Sequence, residues 1–445
     1  MCTPGLRLRL SLAIVLGLGI GVAPTAQSGD IANIVVDLVR PLETGAITTV
    51  WDCQFSGFCT SQAIFSTQSD ISPLAGFNLE SLSSVTSGVV NDRIVPLSSS
   101  VSGFTYDYNP DLDVYDRSTK TFGPLFSERA QTIGKKRFMV GMSQSYLEFN
   151  QFIGDDLNGI TLDQLGGSLA SSGVNPDFPQ GTLVGVLGDL TAGQVNDVIL
   201  DLNIKEWVST MYFTYGLTER IDVGLVVPLM NLKADASART VQGTSAIPLC
   251  SDPALSDPLL NPFSQCIGNS SGATSSNKAS ESYFGVGDLI VRGKWNFLVG
   301  SANGAFLAEA TIPTGDPANL TGLHTMTYRP GLVISKDLET PIGGLGVQGY
   351  AGYRFRPDQP DQQEFDWAVG AAIQPVGRAS ISLDLIGSNE TRGTKNFLLD
   401  GSVGLKLMLA QNVLLDFNWI APLNNDGLRP SAGIFTIQLE AVFGD

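Results

Sequence analysis

Residues 435–443 read FTIQLEAVF, with Phe435, Ile437, Leu439, Ala441 and Phe443 on one parity and Thr436, Gln438 and Glu440 on the other. Successive strand residues point to opposite faces, so this is a strand with an oily face and a wet face. The pattern repeats upstream. Val413, Leu415, Phe417 and Trp419 alternate with Leu414, Asp416 and Asn418, and Val403, Leu405 and Leu407 with Ser402, Gly404 and Lys406. Ile381, Leu383 and Leu385 oppose Ser380, Ser382 and Asp384, and Phe365, Trp367 and Val369 oppose Glu364, Asp366 and Ala368. Val347, Ala351, Tyr353 and Phe355 oppose Gln348, Tyr350, Arg354 and Arg356. Leu289, Val291 and Trp295 oppose Asp288, Arg292, Lys294 and Asn296.

Segments of about ten residues with this alternation, separated by turns, are the signature of a transmembrane β-barrel. A soluble β-sandwich alternates too, and three features favour the barrel. The wet face carries charges of both signs, as a watery lumen would. Aromatic residues (Tyr283, Trp295, Phe297, Tyr353, Phe355, Trp419, Phe443) sit near segment ends, where interface girdles belong. Tight connections at 216–219, 299–304, 337–344, 374–378 and 410–412 contrast with long ones at 153–196 and 234–281. Strands are expected to begin near Lys136, Val198, Arg220, Ser282, Ala305, Thr325, Leu345, Glu364, Ala379, Asn396, Val413 and Ala432. The fold class is thus all-β: an antiparallel barrel of about twelve strands, or fourteen if residues 101–119 join the wall. An even count puts both chain ends on the periplasmic side and the long connections outside.

The chain of 445 residues is 43% hydrophobic and only 16% charged. Its one long apolar run, Leu10 to Val22, follows Arg7 and Arg9 and precedes Ala23-Pro24-Thr25-Ala26. That is a secretory signal peptide cut between Ala26 and Asp30, rather than an uncut anchor. The expected organisation is a signal peptide at 1–28, an irregular plug or periplasmic segment at 29–133, and a barrel at 134–445. Within the middle part, residues 31–42 read as a short helix, and 101–115 as a hairpin turning at Asn109-Pro110-Asp111. Export to an oxidising compartment makes Cys53 with Cys59, and Cys250 with Cys266, disulfide candidates. Neither spacing suits zinc, and His324 is the single histidine, so no metal or cofactor is expected. A formal charge of -17 without a basic stripe argues against nucleic acid.

The functional expectation rests on the wet face. Asp222, Asp288, Glu309, Glu364, Asp366, Asp384, Asp400, Asp416 and Glu440 should face the lumen, with Arg292, Lys294, Arg329, Arg354, Arg356 and Lys406. On the lipid face a mid-membrane Arg or Lys would cost about 2–4 kcal/mol. Inside, these groups either line a selective path or form a salt-bridge lattice that fills the barrel.

From Thr121 to Thr132 (TFGPLFSERAQT) and on through Ile133-Gly134-Lys135-Lys136-Arg137-Phe138, the chain resembles the MetA-pathway of phenol degradation family of barrel transporters. The resemblance continues at Tyr215 to Gly224 (YGLTERIDVG), Val227-Pro228, Gly285 to Leu289 (GVGDL) and Thr311 to Asp316 (TIPTGD), covering roughly residues 120–445. These are turns and strand edges, so they specify fold more than chemistry. The resemblance implies uptake of small, rather hydrophobic molecules and carries no residue-level mechanism.

No catalytic set can be assembled. His324 lacks a serine and an orienting acid at any telling spacing. Gly344 to Gly349 fits G-x-G-x-x-G but leads into a strand, and Ser275 to Lys278 fits S-x-x-K in a serine-rich loop. The expected function is passive or facilitated passage of small hydrophobic or aromatic compounds through the outer membrane. The alternative is a structural or adhesive barrel that binds a partner through its long outer loops. The N-terminal segment is expected to plug the lumen or to serve as a periplasmic tail.

Overall fold

The computed structural model describes residues 121–124, 126–152, 154–161, 197–241, 276–323, 325–358, 363–391 and 397–444. Toward the N-terminus it describes Ile34 and short strands at 49–53, 59–63, 106–109 and 114–117. The wall is built from β1 (Phe138–Phe149), β2 (Asp197–Thr218), β3 (Ile221–Val241), β4 (Ser276–Val286 continued by Leu289–Leu298) and β5 (Asn303–Ile312). It continues with β6 (Thr327–Thr340), β7 (Gly343–Arg354), β8 (Glu364–Val376), β9 (Ala379–Glu390), β10 (Phe397–Ala410), β11 (Val413–Pro422) and β12 (Ile434–Phe443). Each strand pairs antiparallel with the next. β12 returns to β1, from Phe435 opposite Tyr146 to Phe443 opposite Phe138. This closes a twelve-stranded cylinder with no free edge, the only sheet that lipid tolerates. The hairpin at 106–117 forms its own two-stranded sheet, so the fourteen-strand alternative falls.

Turns at 219–220, 299–302, 341–342, 377–378 and 411–412 gather at the end where β1 begins, the periplasmic end. Alternation sorts the side chains as the pleat requires. Leu332, Ile334, Val369, Leu383 and Trp419 are exposed outward, while the residues between them are buried. Aromatic contacts mark the rims: Phe138 on Phe443 at 5.0 Å, and Trp295 near Phe297 at 6.0 Å, toward the periplasm. Tyr146 lies against Trp207 at 4.8 Å toward the outside. Ten residues of tilted strand separate Trp207 from Leu217. At ~3.3 Å per residue and ~40° of tilt they span an apolar band ~25 Å tall, the thickness of an outer membrane.

β2 and β3 run 22 and 21 residues, well beyond that band. Above Trp207 the polarity inverts. Lys205, Asn203 and Asp201 point outward from β2, and Lys233, Asp235 and Ser237 from β3. Leu200, Leu202, Ile204, Leu232, Ala234 and Ala236 are buried on the inner side. Outward polar groups are stitched together: Lys233 to Asp235 at 2.9 Å, the Ser280 hydroxyl to Asp235 at 2.6 Å and the Ser237 hydroxyl to Asp201 at 2.9 Å. The 234–281 stretch, expected to be loop, is therefore strand as far as Val241 and again from Ser276.

A second departure lies in β4. Opposite Val227 and Pro228 of β3, β4 carries three residues, Gly287, Asp288 and Leu289. The extra residue is a β-bulge, and it flips the parity of everything above it. Tyr283, expected in the outer girdle, therefore faces inward opposite the buried Leu232.

Of the 31–42 helix, only Ile34 is described; it is helical and buried. Cys53 pairs directly with Cys59 across a two-stranded hairpin. Cys250, Cys266 and His324 lie outside the described residues. Among the described residues no helix is long and apolar enough to cross a membrane.

Candidate functional site: the lumen and the strap across it

Before β1, residues 121–124 and 126–133 pass through the periplasmic half of the cylinder as an irregular strap. Thr121, Phe122, Ser127, Glu128, Arg129, Ala130 and Ile133 are all at most 4% exposed. A backbone without regular structure can be buried only if its polar groups find partners. The inner wall supplies them. The Ile133 N–H donates to Asp222 of β3 at 3.1 Å. Asn296 of β4 donates to the Ala130 carbonyl at 2.9 Å, and Ala130 N–H to Ser335 of β6 at 3.3 Å. Gln348 of β7 donates to the Ser127 carbonyl. The Ser127 N–H and hydroxyl both donate to Asp384 of β9, at 3.1 and 2.6 Å. The strap thus crosses from one side of the wall to the other. Gly346 and Gly370 make room for it: a Cβ on either would run into strap atoms, Thr121 in the first case, Ser127 and Pro124 in the second.

Glu128 is its ionic anchor. It meets Arg292 at 2.9 Å and Lys294 at 3.1 Å, both on β4. From there a ladder of ion pairs climbs the wall. Arg292 reaches Glu309 of β5 at 3.0 Å, Glu309 reaches Arg329 of β6 at 2.8 Å, and Arg329 reaches Asp366 of β8 at 3.4 Å. Arg354 of β7 pairs with Glu364 and, at 3.8 Å, with Asp366; in the other direction Lys294 meets Asp222 at 3.9 Å. Arg292 and Glu309, Glu309 and Arg329, and Arg354 and Glu364 are direct cross-strand partners, the spacing at which opposite charges stabilise a sheet. Arg329 also lies over the Tyr350 ring at 5.1 Å.

The opposite wall is equally polar. Lys406 of β10 and Asp416 of β11 pair at 3.5 Å with both side chains fully buried, beside Asn418, Gln438 and Glu440.

At the outer end, connections fold back onto the wall. The Asp288 carboxylate accepts the N–H of Gly315 at 2.9 Å and of Leu323 at 2.8 Å, clamping the β5–β6 loop at the bulge. Asp400 accepts from Arg429 of the β11–β12 loop at 2.8 Å. Changing Asp288 to Ala strands the buried Leu323 N–H, at about 1–3 kcal/mol, and frees the half-buried Gly315 N–H at a smaller cost. The loop should then be cut by protease at residues 313–323 in the folded barrel, where the parent resists; equal resistance in both proteins would refute the clamp.

Of the expected lumen residues, Asp222, Arg292, Lys294, Glu309, Arg329, Arg354, Glu364 and Asp366 are brought together in one ladder. Asp384 holds the strap, Asp288 and Asp400 hold loops, Lys406 and Asp416 pair apart from the ladder, and Arg356 and Glu440 are buried. Two inner groups escaped the sequence reading. Glu128 sits in a segment without periodicity. Glu206, inward on β2 between Leu147 and Leu232, is fully buried with no hydrogen-bond partner among the described residues; its parity with Val208 and Thr210 marks it.

A closed cylinder with a lipid-facing apolar band, girdles at both rims and a charged interior is a transport barrel of the Gram-negative outer membrane. The chain matches the family described as "Putative MetA-pathway of phenol degradation" over residues 175–433, and it belongs to that family. No curated protein matches the sequence significantly. An outer membrane channel of Pseudomonas putida F1 is similar in structure, with 11% identity and a TM-score of 0.39, over 71% of this chain and 98% of that one. A Pseudomonas aeruginosa FadL homologue has 9% identity and a TM-score of 0.27, over 69% and 89%. An anion-selective porin of Comamonas acidovorans has 9% identity and a TM-score of 0.26, over 69% and 98%.

Proposed function

We propose that the barrel carries small hydrophobic or aromatic compounds inward across the outer membrane down their gradient, with the strap as its gate. The observation that carries this reading is the division of the inner face. On the β2–β4 side its outer end is apolar, with Leu200, Leu202, Ile204, Leu232 and Ala234 buried there beside Tyr283, whereas the ion-pair ladder rises along β4–β8 to the outer ends of β6, β7 and β8 and the strap crosses the periplasmic half. An apolar solute leaves water readily at the first zone, because burial is worth ~25 cal/mol per Å² of apolar surface. Glu206 adds a buried carboxyl there, both of whose oxygens lack a hydrogen-bond partner among the described residues, suited to a hydroxyl donor such as a phenol. A buried polar group left without a partner costs about 1–3 kcal/mol, so a solute that supplies the donor gains over one that does not.

The family's description names phenol degradation, in keeping with solutes of this class. Proteoliposomes loaded with a dye that reports phenol entry provide the test. Phenol should enter faster than a sugar of similar size, and Glu206→Leu should remove the preference for phenol over toluene. Equal rates for sugar and phenol would overturn the reading.

A further inference from the structure

The outer face holds a feature that transport does not use. Across β6 to β9, two neighbouring rungs of outward side chains run Lys336–Val347–Ala371–Leu383 and Ile334–Gly349–Val369–Leu385. The small residues Gly349 and Ala371 lie diagonally at the centre and the larger ones stand around them. The result is a groove of about 660 Å³ in the wall. At ~30 Å³ for a water-sized group, that is room for about twenty methylenes, one acyl chain with some to spare.

Lys336 is the second element. It is exposed, points to lipid, and among the described residues is the only charged side chain on the outward face between the two aromatic rims. It stands four residues above Thr340, the periplasmic end of β6. With ~3.3 Å per residue and a ~40° tilt, that is ~10 Å inside the apolar band. A lysine at this depth is costly unless its ammonium reaches the interface or meets an anion, and such residues are retained for a purpose. Lysine stems bend toward the nearer interface, here the periplasmic leaflet, whose headgroups carry phosphate.

We infer that this groove and Lys336 form a phospholipid site in the periplasmic leaflet, with one acyl chain lying over Gly349 and Ala371 and the phosphodiester paired to the Lys336 ammonium. Back to back with it, across the same four strands, Gln348 and Asp384 hold the strap from inside.

The test is native mass spectrometry of the detergent-solubilised full chain with added dioleoyl phosphatidylglycerol. Three proteins are compared: the parent, Lys336→Gln, and Gly349→Leu. Gly349 needs no unusual backbone, and a Cβ there meets nothing closer than 3.8 Å, so leucine fills the groove without breaking the wall. Heat-modifiable mobility in gels certifies that each variant is a folded barrel. The parent should retain one phosphatidylglycerol, and each variant should retain it at least tenfold more weakly. Inorganic phosphate, having no chain, should not compete. Equal retention by folded variants, or competition by free phosphate, would overturn the site. So would a parent dimer that Gly349→Leu dissociates, since a second copy would then occupy the groove.

Discussion

Replacing Glu128 with lysine is expected to raise the single-channel conductance of the barrel several-fold. In the parent, Glu128 lies between Arg292 at 2.9 Å and Lys294 at 3.1 Å, with side-chain exposures of 5%, 9% and 13%. A lysine there sets a third cation beside two. Breaking a buried pair while leaving its partner in place costs about 3–5 kcal/mol. The strap's other wall contacts include hydrogen bonds worth about 0.5–1.5 kcal/mol each, or about 1.5–3 kcal/mol where the partner is the Asp222 or Asp384 carboxylate. A loss of about 3 kcal/mol changes the ratio of docked to released strap about a hundredfold. The barrel wall does not depend on Glu128, so the variant should stay folded by heat-modifiable mobility. Glu128→Gln keeps the size and should give a smaller rise. A folded lysine variant with parental conductance would mean that the strap does not limit passage.

Replacing Lys406 with methionine should cost the wall itself stability. Lys406 and Asp416 are both fully buried and face each other directly across β10 and β11. Methionine keeps the stem and removes the ammonium, leaving a buried carboxylate without its countercharge, a loss of about 3–5 kcal/mol. The folded band in unboiled gels should vanish at a clearly lower temperature than in the parent. Converting Asp416 to leucine as well removes the orphaned charge, so the double variant should recover most of the loss. If the double variant is no more stable than the single, the pair is not what holds that part of the wall.

The wall was legible because lipid imposes a simple code. Every outward position must be apolar over about ten residues, and period-two alternation follows. Phe435, Thr436, Ile437 and Gln438 announce their faces without any structure, and the expected starts near Arg220, Glu364, Ala379 and Val413 fall within one residue of those of β3, β8, β9 and β11. The code lapses where lipid stops. Above Trp207 the outside is water, so Lys233 and Asp235 point outward while Ala234 and Ala236 turn in. Alanine is a poor announcer of strand, and the extension of β3 passed for loop. The code also slips at a bulge: one extra residue at Gly287–Asp288 moved Tyr283 to the inner face, which no count across the interruption would reveal.

The inner charges were visible as residues but not as a network. Alternation says that Glu309 and Arg329 face inward, but only the register of β5 against β6 places them opposite each other. The strap was least legible. Its bonds are made one at a time with distant strands, as Ser127 does with Asp384, and no local pattern encodes a partner 257 residues away.

A disulfide between strap and wall tests the account most directly. A Cβ placed on Gly370 points at Ser127, close enough for cysteines at the two positions to join. The cross-link should form in isolated outer membranes of the Ser127→Cys/Gly370→Cys variant under mild oxidation. Added to Glu128→Lys, it should return the conductance to the parental level until a reductant is supplied. Failure of the link to form in folded barrels, or an unchanged high conductance with the link in place, would contradict a strap that lies across the lumen and governs what passes.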